Sequence, residues 1–418
     1  MAFIILFIGG FNMALPDFGW AAPVQLFHGV FIDNALLLIY LLLTITMGSY
    51  GKVLKTQETL GFAAFVALLG GVGIVSAGIN GYALADVGQA LRLFLLGAFV
   101  LVVAHWSRTR GEAFVLRSYV MGVALIGVMP ALRSQNGAGG VLAIAVSLSA
   151  WLLLVGRTSG DTTVAIACAL IGTVAAAMSF SKTSMTIVAC GLVAWIVALI
   201  RTTAMRRRRL VAGGGLAVLL AAGAYSARSA ETSEVTAAVI LSVKTKFANL
   251  DVTDQYSMRA RYLYFWGVAE IVAGHPLTGV SYRGFYDAIT STATYEAGGM
   301  ADEDPESGRR GQSNPHNSFL YYAAANGLPG LVVSGLLFVM FLGYLRRSLD
   351  VSVVSGRILW GCFALAYFIY GMTLPTLFDT PVLYVPAAVA MAMSSRQRGS
   401  RVPHAKVPFL EHPMEVVS

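Results

Sequence analysis

The stretch SNPHNSFLYYAAANGLPGLVV, residues 313–333, passes from a polar loop into a long apolar run. Pro315, His316 and Asn317 stand at the boundary, and the apolar run continues to residue 345. A helix of about 20 apolar residues crosses the hydrocarbon core of a bilayer. The stretch therefore predicts a membrane helix over residues 318–345 that has a histidine at its mouth.

Similar apolar runs recur along the whole chain. Its 418 residues are 57% hydrophobic and only 12% charged, which is about half the charged fraction of a soluble protein. The predicted fold is therefore all-α, a polytopic membrane protein with about twelve spans. The spans fall near residues 2–15, 30–48, 59–80, 87–105, 114–132, 137–155, 162–180, 183–200, 210–227, 318–345, 357–374 and 381–395.

Lysine and arginine cluster in alternate connections between these spans. With the N-terminus inside, the inner segments hold most of the 29 basic residues, as the positive-inside rule requires. Both termini are therefore predicted to be cytoplasmic. Because the net charge of +8 reflects this topology, the arginine run at residues 206–209 is interpreted as an inner-face anchor, and no nucleic-acid partner is expected.

The spans divide the chain into four predicted parts. These are N-terminal membrane helices at 1–227, one large extracytoplasmic loop at 228–317, C-terminal membrane helices at 318–395 and a cytoplasmic tail at 396–418. Within the loop, SMRARYLYFWGVAEIVAG (residues 257–274) has helical apolar periodicity. One face of that predicted helix comprises Met258, Leu263, Trp266 and Ile271.

Four cations are predicted to lie at the outer surface. Arg259 and Arg261 belong to the loop helix, Arg283 to the glycine-rich turn after it, and Lys182 to the outer end of a span. Two residues apart on a helix, Arg259 and Arg261 diverge by about 200°, so only one of them faces a given ligand. Charge near a membrane interior is costly and indicates function, although Lys182 can equally extend to the interface. Such cations suit a phosphate-bearing lipid.

His316 is the candidate for proton transfer, because imidazole titrates near neutral pH. A histidine at a helix mouth is more often an interfacial or capping residue. Pro315 fixes the preceding backbone, and Asn317 or Ser318 can cap the helix that follows. Tyr321 belongs to an aromatic pair that suits the membrane interface or stacking against a sugar.

The acidic residues form no recognisable metal site in the sequence. The run DEDPE at residues 302–306 lacks spaced ligands, and no Asp-x-Asp motif occurs. No glycosidase-like pair of carboxylates is apparent either. We therefore expect neither a metal nor a cofactor.

Three motifs in order resemble those of the bacterial O-antigen polymerase and O-antigen ligase superfamily. PHNSFLYYAAANGLPGLV resembles its His-Asn…Gly-Leu-x-Gly signature, RYLYFWGVAEIVAGHPLTGVSYRGF its Arg…aromatic…His-Pro-Leu-x-Gly-Val element, and SFSKTSMTIVACGLVAWIV its Ser-Arg-Ser/Thr motif. Two departures are clear: Lys182 stands where the family usually has arginine, and Asn326 where it often has an acidic residue. Arg261 matches the family arginine better than Arg259 by its spacing to the residues that follow.

The resemblance implies a GT-C-like, metal-independent, inverting glycosyltransferase of the bacterial inner membrane with a periplasmic active site. Its donor would be a glycan on undecaprenyl diphosphate. His316 would act as general base and Arg261 would share in catalysis. Arg283, Lys182 and Arg259 would bind the diphosphate, with Asn317 and Tyr321 in support.

The resemblance leaves the acceptor open. A polymerase transfers the glycan to a second lipid-linked repeat unit, and chain-length regulators are then expected partners; a ligase transfers it to lipid A-core. We favour the polymerase, although no residue decides the matter. Two other classes are compatible with the sequence: a flippase or other transporter, which would place charges near mid-membrane in repeated halves, and a non-catalytic sensor or scaffold.

Overall fold

The computed structural model describes residues 2–11, 25–27, 30–31, 57–81, 84–128, 136–178, 182–202, 252–297, 317–374, 377–378 and 380–400. All structural statements below refer to these residues. The predicted spans at 30–48 and 210–227 lie outside them, apart from residues 30 and 31, and so does the predicted tail beyond residue 400.

The described chain is helical apart from one small hairpin, which the all-α prediction did not include. Its strands β1 (Gln25–Phe27) and β2 (Val30–Phe31) pair antiparallel. The helices are α1 (Ala2–Phe11), α2 (Gln57–Ile79), α3 (Leu84–Arg110), α4 (Glu112–Val128), α5 (Asn136–Val155), α6 (Ser159–Met178), α7 (Lys182–Arg201), α8 (Val252–Gly274), α9 (Ser281–Thr290), α10 (Ala293–Ala297), α11 (Ser318–Ser348), α12 (Val354–Thr373) and α13 (Pro381–Ser400).

Each predicted span within the described residues coincides with a helix. Five of these helices contain segments long and apolar enough to cross a membrane: Gln57–Ile79, Ala90–Arg110, Thr183–Arg201, Ser318–Ser348 and Val354–Thr373. Gly140–Val155 and Ser159–Val174 are apolar but shorter. The chain is thus a multi-pass membrane protein, whereas the total of about twelve spans and the predicted domain boundaries stay predictions.

Two helices form the centre of the bundle. Every residue from Val382 to Ala392 on α13 is buried, and so is every residue from Gly140 to Leu153 on α5. α13 packs against α3, α4 and α11, while α5 packs against α4, α6 and α7. A helix that is apolar on all sides needs an apolar environment around it, and for α5 and α13 neighbouring helices supply it.

Ion pairs gather at one end of the bundle, which we call the basic end. Arg347 pairs with Glu58 at 3.6 Å. Arg396 pairs with Glu112 at 2.9 Å and donates to two carbonyl oxygens in the last turn of α3. These helix ends are the ones predicted from sequence to face the cytoplasm. The C-terminal helix is thereby fastened to the α3–α4 corner.

The first residues of α7 and α11 lie at the end of the bundle opposite the basic end. Arg201, the last residue of α7, donates to the oxygen of Leu349 just after α11, at 3.4 Å. Both helices therefore end at the basic end. Since a helix rises about 1.5 Å per residue, their first residues lie roughly 30 to 45 Å away. We call that end the junction end.

The corner between α5 and α6 shows how the sequence fixes a helix start. The Asp161 N–H donates to the Thr158 hydroxyl oxygen at 3.1 Å, and the Asp161 carboxylate accepts from the Thr158 N–H at 3.1 Å. This reciprocal pair is a capping box. The same carboxylate contacts Arg117 of α4 at 3.1 Å, so the cap also fastens α6 to α4.

We expect Asp161→Ala to destabilise the protein by about 1–2 kcal/mol, because the carboxylate half of the capping box is lost and Arg117 loses its ion partner. The measurement is thermal unfolding of the detergent-purified protein, followed by tryptophan fluorescence. Asp161→Asn keeps an acceptor oxygen without the charge, so its melting temperature should fall between those of the alanine variant and the unaltered protein. An unchanged melting temperature for Asp161→Ala would contradict this role.

Candidate functional site

The long helix α11 is broken at Gly327, within the stretch that opened the sequence analysis. Gly327 has φ 67° and ψ −161°, in a region that glycine reaches without steric cost. Residues 318–326 form the first segment of α11, and residues 328–348 form the second. Pro329 lies in the first turn of the second segment, where a missing N–H is tolerated.

The break frees backbone groups that a continuous helix would pair, and neighbouring elements bind them. Three hydrogen bonds do this: from the Val280 N–H to the Ala324 oxygen (2.9 Å), from the Ser76 hydroxyl of α2 to the Ala325 oxygen (2.7 Å), and from the Leu328 N–H to the Pro276 oxygen (2.8 Å). We call this assembly of the end of α2, residues 276–282 and residues 324–328 the kink junction. It joins two of the three sequence motifs.

Two glycines allow the backbones of the kink junction to approach. Gly279 has φ 62°, and a Cβ there would overlap the Ala324 oxygen. A Cβ on Gly327 would lie 2.6 Å from the Pro276 oxygen. The Asn80 side chain of α2 donates to the Gly279 oxygen at 3.1 Å. Gly279 and Val280 of HPLTGV and Gly327 of NGLPG thus lie in one contact that joins the two motifs.

The residues just after this contact hold α9 against α11. Ser281 has φ 69°, an unusual backbone for a residue other than glycine. The Asn326 amide nitrogen donates to the Tyr282 hydroxyl at 3.0 Å, and the Tyr282 and Tyr321 rings lie 5.7 Å apart. Asn326 is fully buried, and its Oδ1 has no hydrogen-bond partner among the described residues. An acidic residue here, as the family pattern favours, would place a carboxylate in the buried position.

The start of α11 is fixed by its own side chains. The Asn317 Oδ1 accepts from the N–H groups of Phe319 (2.9 Å) and Leu320 (3.1 Å), so Asn317 is the N-cap and the capping prediction is confirmed for this residue. The Ser318 hydroxyl donates to the Leu374 oxygen at 2.6 Å after α12. The helix start is therefore held against the connection between α12 and α13, and His316 directly precedes this fixed point.

α8 packs beside this assembly. It contacts α9, α10 and α11. The buried cluster contains Leu263, Tyr264, Val268 and Ile271 of α8. The predicted apolar face was therefore wrong at Trp266, which is 47% exposed, because the buried positions follow a helical stripe through Val268 instead. Arg261 is exposed and lies about 20 Å along the helix from Gly274.

The predicted site residues fall into three groups. His316 lies outside the described residues. Lys182, Arg259 and Arg283 have described backbone positions in α7, α8 and α9, but their side chains are not described. The prediction that Arg283 lies in a glycine-rich turn was wrong, because the turn ends at residue 280 and Ser281–Thr290 forms helix α9. Asn317, Tyr321 and Arg261 have described side chains: the first two lie at the start of α11, whereas Arg261 projects from α8. The first residue of α7, helix α9 and the start of α11 all lie at the junction end. The roles assigned to these residues in catalysis and binding stay predictions.

Sequence reasoning missed the polar residues that hold the kink junction. The predicted span 59–80 gives Ser76 and Asn80 no separate role, and no role is predicted from the sequence for Tyr282, which stands next to Arg283. The available signal was the polar pair four residues apart at the end of an apolar helix, since such residues lie on one helix face. As for metals, no group of His, Cys, Asp and Glu among the described residues is placed to hold an ion.

Residues 166–334 match a family model described as O-antigen ligase. The matched segment begins within α6 and contains α7 to α10, the start of α11 and the break at Gly327. It includes all three motifs, so the resemblance to the O-antigen polymerase and ligase superfamily is confirmed over these residues. A search among curated proteins gave no match to the chain.

We expect Gly327→Ala to destabilise the protein, because φ 67° with ψ −161° is a region essentially restricted to glycine, where a Cβ costs about 1–3 kcal/mol. The added Cβ would also press on the Pro276 oxygen. Gly335→Ala is the matched control on the same helix: no atom lies within 4 Å of its added Cβ, and alanine favours helix. Thermal unfolding in detergent should show a clear decrease for the first variant and no decrease for the second. Equal melting temperatures would mean that the break needs no glycine.

Proposed function

We propose that this chain, which carries a domain of the O-antigen polymerase and ligase superfamily at residues 166–334, polymerises undecaprenyl-diphosphate-linked repeat units. The reaction would take place at the periplasmic face of the bacterial inner membrane. The observation that carries the proposal is the kink junction, because it holds the segment before Arg283 against the helix that follows His316. In the sequence, Arg283 directly follows the loop of this junction and His316 directly precedes Asn317 and helix α11, which supports a shared site for the two motifs.

The proposed reaction is a displacement at the anomeric carbon of the donor sugar. The acceptor hydroxyl oxygen forms the new glycosidic bond, and the bond from carbon to the phosphate oxygen breaks. The hydroxyl proton passes to His316, and the lipid diphosphate leaves with the electron pair. Attack opposite the leaving group inverts the anomeric configuration.

The leaving diphosphate needs cations more than it needs an acid. It already carries negative charge, and fixed positive groups stabilise the charge that develops as the bond breaks. Arg261, Arg283, Lys182 and Arg259 are the proposed cations. An arginine offers two parallel N–H donors to phosphate, whereas Lys182 offers a single point charge.

The distribution of charge favours an enzyme over a transporter. A transporter typically binds its substrate near mid-membrane with polar groups inside the spans. The described ion pairs of Arg347, Arg396 and Arg117 instead lie near helix ends. The break in α11 is filled by protein atoms, as the hydrogen bonds of Val280 and Ser76 indicate.

We expect His316→Ala and Arg261→Ala each to abolish detectable glycan transfer, while the protein still inserts and accumulates. Loss of a general base typically lowers a rate about 10²–10⁴-fold. The measurement is the surface glycan ladder on a gel, normalised to the amount of membrane protein. His412→Ala, in the predicted tail, and Arg346→Ala, exposed at the basic end, are matched controls that should leave the ladder unchanged. Normal ladders in both site variants would refute the proposal that the protein is a glycosyltransferase.

The acceptor is tested by reconstitution of the purified protein with lipid-linked repeat units alone. Chain growth without any other acceptor is expected of a polymerase. Transfer that occurs only after lipid A-core is added would identify a ligase and overturn our preference.

A further inference from the structure

One exposed surface of α8 is built of aromatic side chains. Tyr262, Phe265 and Trp266 are 62%, 52% and 47% exposed. The Tyr262 and Phe265 rings each pack edge-on against the Trp266 ring, with centroids 6.2 and 5.5 Å away. We call these three residues the aromatic face of α8. Large aromatic side chains rarely remain this exposed to water without a partner.

The aromatic face points away from the protein. At about 100° per residue, Tyr262, Phe265 and Trp266 lie on the side of α8 opposite Tyr264 and Ile271, which are buried. The polar residues lie at the edges of this face, with Arg261 on one flank and Glu270 on the other. The Glu270 carboxylate already has hydrogen-bond partners, because it accepts from the N–H groups of Ala293 (2.9 Å) and Thr294 (3.1 Å).

The exposure pattern of α11 marks the depth at which the outward-facing apolar surface begins. All residues from Tyr322 to Gly327 are buried. Exposed apolar side chains then start directly after the break and continue at helical spacing: Leu328, Leu331, Val332, Leu336 and Val339. In a helix long and apolar enough to span a bilayer, such a stripe faces lipid. The break at Gly327 therefore lies near one edge of the hydrocarbon core.

Part of α8 packs near this depth. Its buried residues share a cluster with Ala323 and Ala324, which are about one helical turn, or roughly 5 Å, from Gly327. Leu277, 74% exposed, follows Pro276, whose oxygen binds the first N–H of the lipid-facing segment. The apolar surface thus continues from α11 through Leu277 to the end of α8.

We propose that α8 is a membrane-interface helix whose aromatic face rests in the headgroup region of the leaflet at the junction end. Tyrosine and tryptophan favour this region because their rings are apolar and their polar atoms remain hydrated. Arg261, on the flank of that face, then lies at the level of the lipid phosphates, where its charge is stabilised. The segment 252–274 is therefore part of the membrane surface, although the sequence predicts it within a soluble loop. This arrangement does not depend on which acceptor the enzyme uses.

The test uses single cysteines labelled with the environment-sensitive dye NBD in a chain in which Cys168, Cys190 and Cys362 are replaced. The cysteine-free protein must elute like the unaltered one before labelling. The label is placed at Phe265 in protein reconstituted into phosphatidylethanolamine–phosphatidylglycerol vesicles. Val339, on the lipid-facing stripe, and Glu296, exposed on α10, carry the two reference labels.

At Phe265 we expect strong quenching by lipids that carry a spin label near the headgroup, and little quenching by aqueous iodide. Val339 should respond to spin labels deeper in the acyl chain, and Glu296 to iodide alone. Quenching of the Phe265 label by iodide, as at Glu296, would overturn the proposal. Protection from both quenchers would also overturn it, because a protein or glycan would then cover the aromatic face.

Discussion

The broken backbone at Gly327 is the constraint on which the rest of the junction end depends. A helix in an apolar environment pairs its N–H and C=O groups internally, and an interruption there is tolerated only where other protein groups replace the lost bonds. Val280, Ser76 and Pro276 supply those replacements. Because the partners come from two distant parts of the chain, the break fixes α2, the loop before α9 and the start of α11 in one arrangement.

The hydrogen bonds around Gly327 also fix segments that lie next to predicted site residues in the sequence. The loop that binds the break continues directly into Ser281, Tyr282 and Arg283, and the Asn326–Tyr282 hydrogen bond sets how α9 lies on α11. The segment before the break begins at Asn317, whose cap fixes the residue after His316. Loop and helix start are thus held by backbone hydrogen bonds, which allow less variation than contacts between long side chains. A rigid frame of this kind is what positioning of catalytic groups requires.

Different kinds of contact hold the helices together at the two ends of the bundle. At the basic end, ion pairs and capped corners such as Thr158–Asp161 fasten neighbouring helices where water and phosphate headgroups lower the cost of charge. At the junction end, the described contacts are aromatic packing and hydrogen bonds, most of which involve backbone groups. Arg261 is exposed at this end, on the flank of the aromatic face of α8. An enzyme acting on a lipid-linked substrate needs both features at one surface.

The sequence by itself determined the helical class, the positions of the predicted spans within the described residues, the helix cap at Asn317 and the resemblance to the O-antigen polymerase and ligase superfamily, which a family model supports at residues 166–334. Each follows from local hydropathy, capping chemistry or motif order. It also predicted the grouping of basic residues at one end. Only the tertiary structure decided where the glycines of HPLTGV and NGLPG meet, that Ser76 and Asn80 bind them, and which face of α8 is buried. Those features depend on contacts between residues far apart in the chain. Trp266 illustrates the limit: its spacing suits an apolar face, but whether that face meets protein or membrane is set by the elements packed around α8.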